Sequence, residues 1–188
     1  RLFTAPSYFT ALKSNRPFVL IGGRGTGKTT VLRGLSYQGQ YALNRNDIVN
    51  YNKNPYIGIY FRCDTNHMHA FSGKGIDKEE WVKIFAHYFN LIFTAEVLYF
   101  LDWHLKKCPD DELLSEHDCR LIAISLHLSK NVCNFKTLFE TLEEAMYGFQ
   151  AEVNNIADGN MPQLSMAGDP IKIVTERALK LRQFKGKT

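Results

Sequence analysis

The residues best suited to do chemistry lie near the N-terminus, in a glycine-rich stretch from Gly22 to Thr29. They match the pattern G-x-x-x-x-G-K-[ST], whose backbone N–H groups surround nucleotide phosphates. Glycine adopts torsions that a Cβ would forbid, so successive N–H groups can point at one anion. The predicted nucleotide-binding residues are Gly22, Gly23, Arg24, Gly25, Thr26, Gly27, Lys28, Thr29 and Thr30.

Three of these side chains have separate predicted roles. Lys28, the predicted catalytic residue, would bridge the β- and γ-phosphates of a nucleotide. The Thr29 hydroxyl would hold Mg²⁺, and Thr30 would reach the α-phosphate side. The loop therefore predicts a bound nucleotide with Mg²⁺.

The flanking residues predict the elements that position this loop. Phe18–Ile21 is an apolar run and predicts a short buried strand before the loop. The residues after Lys28 place apolar side chains at helical spacing, which predicts a helix whose N-terminus faces the phosphates. A second β-rich run, 56–64, predicts a second strand. Strand, glycine loop and helix together predict an α/β P-loop NTPase with a parallel sheet core.

The remainder of the chain predicts helices. Residues 77–160 contain long stretches with apolar side chains at helical spacing, and we interpret them as a helical insertion on the flank of the sheet. Residues 1–76 would form the N-terminal part of the core. Residues 161–188 would hold a helix, 170–183, that begins at Asp169-Pro170.

A P-loop ATPase also requires a carboxylate at the end of a strand, to hold Mg²⁺ and orient water. Asp102 follows a run of apolar residues, but that run otherwise has the pattern of a helix. Asp64 ends the second predicted strand and is the other candidate within the chain. The remaining alternative places the acid beyond Thr188, so we expect this chain to be the N-terminal part of a larger ATPase.

Composition limits the class of protein. The chain has 188 residues, 22% of them charged, and a formal charge of +4, which permits a nucleic-acid partner without requiring one. The four cysteines are dispersed without a C-x-x-C pair, so neither a disulfide framework nor a zinc site is suggested.

The longest apolar stretch, 88–105, is too polar for a membrane span, and a cytoplasmic protein is expected. The NKNP at 52–55 resembles the guanine-specificity motif of GTPases only superficially. The aspartate that would bind the base is absent, which disfavours a GTPase.

Several blocks resemble the bacterial ATPases related to origin-recognition initiators. They are GGRGTGKTT with the following residues 31–36, then 57–65, 70–75, the segment from Trp81 to Leu91, and 167–171. The resemblance implies an AAA+-like or STAND-like ATPase, of a group frequent in anti-phage or mobile-element systems. It also implies a Walker B acid pair after the 170–183 helix, which this chain lacks.

The leading hypothesis is therefore an ATP-binding and hydrolysing motor or switch module of a larger oligomeric ATPase. Its expected partners are ATP and ADP, further copies of itself or an effector protein, and no membrane. One rival is a small phosphotransferase, which needs arginines converging on the phosphates; Arg24, Arg33 and Arg62 lie near candidate loops. The other is a scaffold that binds ATP without hydrolysing it.

Overall fold

The fold is known from a computed structural model that describes residues 5–14, 16–64, 68–73, 76–128, 131–159 and 169–185. The chain forms two compact units, Arg1–Arg62 and Cys63–Thr188, called unit 1 and unit 2 below. The helices of unit 1 are a 3₁₀ turn at Ala11–Lys13, α1 at Lys28–Leu35, α2 at Tyr37–Leu43 and α3 at Ile48–Tyr51. The helices of unit 2 are α4 at Lys78–Leu105, α5 at Glu116–Ser125, α6 at Phe135–Ala157 and α7 at Pro170–Lys185.

The predicted α/β class with a parallel sheet core is wrong for this structure. Among the described residues no segment is a β-strand. Phe18–Ile21, predicted as a buried strand, is exposed: Val19 is 83% and Ile21 93% accessible to solvent. Extended backbone forms a stable sheet only when neighbouring strands satisfy its N–H and C=O groups and cover its apolar face. The described chain pairs neither this segment nor 56–64 with another strand.

Unit 1 is organised around a tight corner between α1 and α2. Ser36 ends α1 and also begins α2, where its hydroxyl accepts a hydrogen bond from the Gly39 N–H at 3.2 Å. The N–H of Tyr37 donates to the Gly58 carbonyl at 2.7 Å, which anchors the extended segment after α3 at this corner. Residues 38–55, which are rich in Asn and Tyr and have few periodic features, predict a loop, but they contain most of α2 and all of α3.

Unit 2 is a helical bundle, in agreement with the predicted helical character of this region. The sequence predicts a nine-residue apolar stripe on α6, and six of its members are at most 1% exposed: Leu138, Leu142, Ala145, Phe149, Val153 and Ile156. The other three, Phe135, Phe139 and Met146, are half-buried. Reciprocal side-chain and backbone hydrogen bonds cap α5 at Ser115 and α6 at Asn134. The acidic run 77–80 predicts a capping box at the start of α4, but the Asp77 side chain makes no cap hydrogen bond. The helix predicted at 170–183 is confirmed by α7, while the connector before it lies outside the described residues.

Two buried polar contacts join α7 to its neighbours. The Thr175 hydroxyl lies 3.2 Å from Nε2 of His87 on α4. Burial lowers the pKa of His87 to about 4, so the ring is neutral near pH 7. Glu152 of α6 is 2% exposed, and its carboxylate lies 3.3 Å from Nε of Arg177. These contacts fix the rotation of α7 against the bundle, because a shift would leave buried polar groups unpaired.

Helix α4 is the one described helix long and apolar enough to cross a membrane when judged by length and composition. Core helices pass the same test, and ten α4 residues are buried. Its most apolar window is only 44% buried, however, because Val82, Phe93 and Val97 point outward. The apolar character of α4 is therefore explained in part by the bundle core.

Replacing Gly148 with alanine should destabilise unit 2, because α6 and α7 approach each other most closely at this residue. A Cβ on Gly148 would overlap the backbone of Ala178, with the Ala178 Cα only 2.9 Å away. Helix propensity alone would stabilise the alanine variant by about 1 kcal/mol. We expect instead a loss of about 1–3 kcal/mol from overpacking, measured as the free energy of unfolding in urea.

The sign of the change therefore separates the two effects. Glu144→Ala, at an exposed position of the same helix, is the control and should change stability little. A Gly148→Ala variant at least as stable as the parent protein would contradict the close approach of α6 and α7.

Candidate nucleotide-binding site

The glycine-rich loop of unit 1 has a backbone that only glycine adopts readily. Gly25 has φ of 86° and Gly27 has φ of 82°, both in the left-handed region. Gly27 is the N-cap of α1, and no side chain satisfies the first N–H groups of this helix. Helix α1 begins at Lys28, as the sequence predicts. An uncapped helix N-terminus next to such a loop offers several N–H groups and the positive end of a dipole to an anion.

Lys28 folds back over the loop. Its Nζ donates to the carbonyls of Gly22 at 2.5 Å and Gly23 at 2.7 Å, and lies 3.3 Å from the Thr26 hydroxyl. The Thr26 hydroxyl in turn donates to the Gly23 carbonyl at 2.9 Å. These bonds are exposed, and all the acceptors are neutral. The loop thereby holds the Lys28 ammonium group at its opening, where a bound phosphate would contact it.

The predicted binding residues lie on the surface of unit 1. Gly22 to Thr26, Thr29 and Thr30 are exposed, while Gly27 and Lys28 are half-buried. Arg24 is exposed within the loop. A cavity of about 590 Å³ lies beside the start of α1, with Lys28 and Thr29 in its wall.

This cavity combines a polar end with an apolar wall. Arg16, Lys28 and Thr29 supply two cations and a hydroxyl, and the other lining side chains are apolar: Leu12, Phe18, Val19, Leu20, Leu32 and Leu35. Such a lining suits a ligand with an anionic part and a flat apolar part. Sequence reasoning missed Arg16, whose signal is its position just before the apolar run that leads into the loop.

Tyr8 and Phe9 precede the glycine loop in the sequence, and either ring could stack on a nucleotide base or pack in the core. Phe9 is 6% exposed and lies under the ammonium group of Lys13 at 5.3 Å, so it belongs to the core of unit 1. Tyr8 is 46% exposed and lies at the surface.

The two candidate carboxylates within the chain both belong to unit 2. Asp102 lies on α4, so the alternative in which a strand ends at Asp102 is wrong. Its carboxylate accepts a bond from Lys106 Nζ at 2.6 Å, one helical turn away. Asp64 is exposed, and its carbonyl accepts a bond from the N–H of Met68.

Unit 1 has almost no acidic residues of its own. Asp47 is the one Asp or Glu in the sequence 1–62, which has nine Lys and Arg residues. Its carboxylate caps α3, where it accepts bonds from the N–H of Val49 at 2.9 Å and the side-chain amide of Asn50 at 2.6 Å. The glycine loop thus lies in a strongly basic unit whose single carboxylate already has a structural role.

Comparison with known proteins assigns the family. The ORC-CDC6-like family model matches residues 1–188, and the chain belongs to this family. Neither the curated proteins nor the solved structures contain a match to the chain. The resemblance to origin-recognition ATPases is confirmed at this level, which is that of an AAA+-related group. Members of this group generally use ATP and Mg²⁺ and form oligomers.

Proposed function

We propose that Gly22 to Thr30 bind ATP with Mg²⁺, and that the chain serves as the switch or motor module of a larger oligomeric ATPase. The observation that carries the proposal is the loop itself. Two left-handed glycines lead into the uncapped N-terminus of α1, with the Lys28 ammonium group beside it. This combination is what a triphosphate requires, since it offers N–H donors, a helix dipole and a mobile cation.

The proposed roles follow from position. The loop backbone would hold the β-phosphate, Lys28 would contact the β- and γ-phosphates, and Thr29 would hold Mg²⁺. The apolar wall of the neighbouring cavity would accept the base. The basic character of unit 1 would attract the polyanionic nucleotide.

Hydrolysis is proposed to need a carboxylate from outside unit 1. A water molecule must be oriented and Mg²⁺ held by an acid, and Asp47 is committed to capping α3. The acid would come from residues outside this chain or from a neighbouring subunit. We accordingly propose a module that binds ATP and hydrolyses it only in its assembly. Within this chain we propose boundaries near residues 76 and 160.

The resemblance to bacterial ATPases related to origin-recognition initiators supports a proposal for the biological setting. Anti-phage or mobile-element systems, a cytoplasmic location, and a homo-oligomer or effector partner are part of the proposal. A nucleic-acid partner would bind to the basic surface of unit 1. The same shortage of carboxylates also favours the scaffold hypothesis, in which bound ATP is not hydrolysed.

The proposal is tested by equilibrium binding of a fluorescent ATP analogue to the full chain, with unlabelled nucleotides as competitors and phosphate release measured in parallel. Competition by ATP with Mg²⁺ would support the binding site. Turnover only when the longer natural chain is used would support the shared catalytic site. No competition by ATP would contradict the proposal, while transfer of phosphate to a nucleoside or sugar would favour the phosphotransferase.

Replacing Thr29 with alanine should lower the affinity for ATP about tenfold in Mg²⁺, because the hydroxyl that holds the ion is lost. In EDTA the variant and the parent protein should bind equally. Titrations of the fluorescent analogue in both buffers measure the difference. Thr10→Ala, at an exposed threonine outside the loop, is the control. An equal loss of affinity in EDTA would assign Thr29 to phosphate binding or loop structure.

A further inference from the structure

We infer that His104, Cys108 and Asp111 bind a divalent transition-metal ion, for which Zn²⁺ has the best-matched chemistry. The three residues lie in unit 2, where α4 ends and the chain turns. One ring nitrogen of His104, the Sγ of Cys108 and one carboxylate oxygen of Asp111 all lie within 4.8 Å of one another. This metal-binding cluster is separate from the Mg²⁺ proposed at the glycine loop.

Backbone hydrogen bonds set the spacing of the cluster. The Cys108 N–H donates to the His104 carbonyl at 2.9 Å, which continues the helical turn beyond the end of α4. The Asp111 N–H then donates to the Cys108 carbonyl at 3.2 Å and turns the chain back. The spacing H-x₃-C-x₂-D therefore brings three different donor atoms together through local structure, before any ion is bound.

One ring nitrogen of His104, Nδ1, is free to act as a metal ligand in this arrangement. His104 is 8% exposed, and its Nε2 lies 2.7 Å from Oδ2 of Asp111. Nδ1 is buried and has no hydrogen-bond partner among the described residues. A buried polar atom without a partner destabilises the fold, so an ion that takes the Nδ1 lone pair would remove a cost of the metal-free state.

Either ring nitrogen can provide a lone pair. An ion at Nδ1 would leave the Nε2–H donating to Asp111, an arrangement in which a carboxylate orients a metal-bound histidine. An ion at Nε2 would instead bring the carboxylate into direct contact, but it would leave Nδ1–H buried without a partner, so binding through Nδ1 is favoured. The same three side chains build the site in both cases.

The donor set selects the ion. Imidazole, thiolate and carboxylate together suit Zn²⁺, whereas Mg²⁺ and Ca²⁺ prefer oxygen ligands alone. Zn²⁺ holds nitrogen and sulfur ligands at about 2.0–2.3 Å, which three groups this close can reach through side-chain rotation. The Asp111 side chain is 47% exposed, so the fourth coordination position opens to solvent.

Charges around the cluster also favour a cation. Asp110 and Glu112 are exposed on either side of Asp111. The nearby ammonium groups are engaged elsewhere: Lys106 Nζ lies 2.6 Å from Asp102, and Lys107 Nζ lies 5.3 Å from the centre of the Trp103 ring. The acidic turn would therefore attract a metal ion.

The simpler alternative is a structural ion pair. His104 and Asp111 would then tie the end of α4 to the turn, and Cys108 would be incidental. The two alternatives differ in whether Cys108 takes part, so a measurement specific for the thiolate decides between them.

The test is a titration of the metal-stripped full chain with Co²⁺, which reports thiolate ligation by charge-transfer absorption in the near ultraviolet. We expect saturation at one ion per chain, reversal by Zn²⁺ and no effect of excess Mg²⁺. Cys108→Ser should abolish the charge-transfer band, and Asp111→Asn should weaken Zn²⁺ binding at least about tenfold. Cys133→Ser and Asp158→Asn, at exposed positions outside the cluster, are the controls and should bind as the parent protein does.

A thermal melt with added Zn²⁺ shows whether each variant is folded, so that loss of binding can be distinguished from loss of folding. The ion should raise the Tm of the parent protein and of both controls, but not that of Cys108→Ser. The inference would be overturned by a parent protein without a saturable cobalt signal. It would equally be overturned by a Cys108→Ser variant that keeps the charge-transfer band, since another thiol would then be the ligand.

Discussion

Lys28→Ala should weaken ATP binding at least about 100-fold, an effect of roughly 3 kcal/mol. The Lys28 ammonium group now contacts only neutral acceptors of the loop, among them the Gly22 and Gly23 carbonyls. A triphosphate in the loop would replace these contacts with ion pairs between the ammonium group and the phosphate oxygens, which are stronger than bonds to neutral carbonyls. Removing the cation would also leave the β- and γ-phosphate charges without a counter-charge from α1. Displacement of a fluorescent ATP analogue measures the change.

Folding should survive this substitution. The bonds of Lys28 are exposed, so their loss leaves no buried group unpaired, and circular dichroism should be unchanged. Lys53→Ala is the matched control in unit 1, because the Lys53 ammonium group contacts the Asn50 side chain at 3.0 Å away from the loop. Near-native affinity for ATP in Lys28→Ala would refute the assignment of the glycine loop as the phosphate site.

Local patterns in the sequence predicted the helices and the start of the candidate site. The start of α1 at Lys28 follows from the glycines before it and the apolar spacing after it. The stripe of α6 follows from apolar residues at a helical period, and α7 begins after Asp169, whose carboxylate accepts the Ile171 N–H at 3.1 Å. Each of these features depends on residues within a few positions of one another, where propensity and capping are decisive.

Whether the chain forms a sheet could not be predicted reliably, because strand pairing depends on partners distant in the sequence. Apolar, β-rich runs such as Phe18–Ile21 and 56–64 indicate strands, but neither segment has regular secondary structure. A strand is defined by what pairs with it, and the described residues supply no partner. The motif and its flanking residues could therefore not establish the long-range pairing that a parallel sheet requires.

The metal-binding cluster was missed for a related reason. A search for C-x-x-C pairs finds closely spaced thiols, whereas this cluster mixes His104, Cys108 and Asp111 at the end of a helix. Its signal, H-x₃-C-x₂-D, becomes specific only when the end of α4 and the turn after it are known. Helix boundaries are the least certain part of a reading from sequence, so the donor atoms could not be placed together in advance.

Phe149→Ala should destabilise unit 2 by about 3–5 kcal/mol, the largest stability effect expected for a single substitution in this chain. Phe149 is fully buried on α6, and its ring stacks on Tyr88 of α4 with centroids 5.7 Å apart and an interplanar angle of 12°. The ring of His87 lies on the same side at 5.7 Å. Truncation would therefore open a cavity between two helices and remove an aromatic pair. Urea unfolding measures the loss.

Tyr147→Ala supplies the control two residues away on the same helix. Tyr147 is 67% exposed, so its truncation should change the free energy of unfolding by no more than about 0.5 kcal/mol. Should Phe149→Ala fail to fold, Phe149→Leu fills much of the cavity and should show a smaller loss in the same direction. Equal stabilities of the Phe149 and Tyr147 variants would contradict the bundle, because the two positions differ in burial and in little else. The stability of unit 2 would then have to come from contacts other than the α4–α6 core.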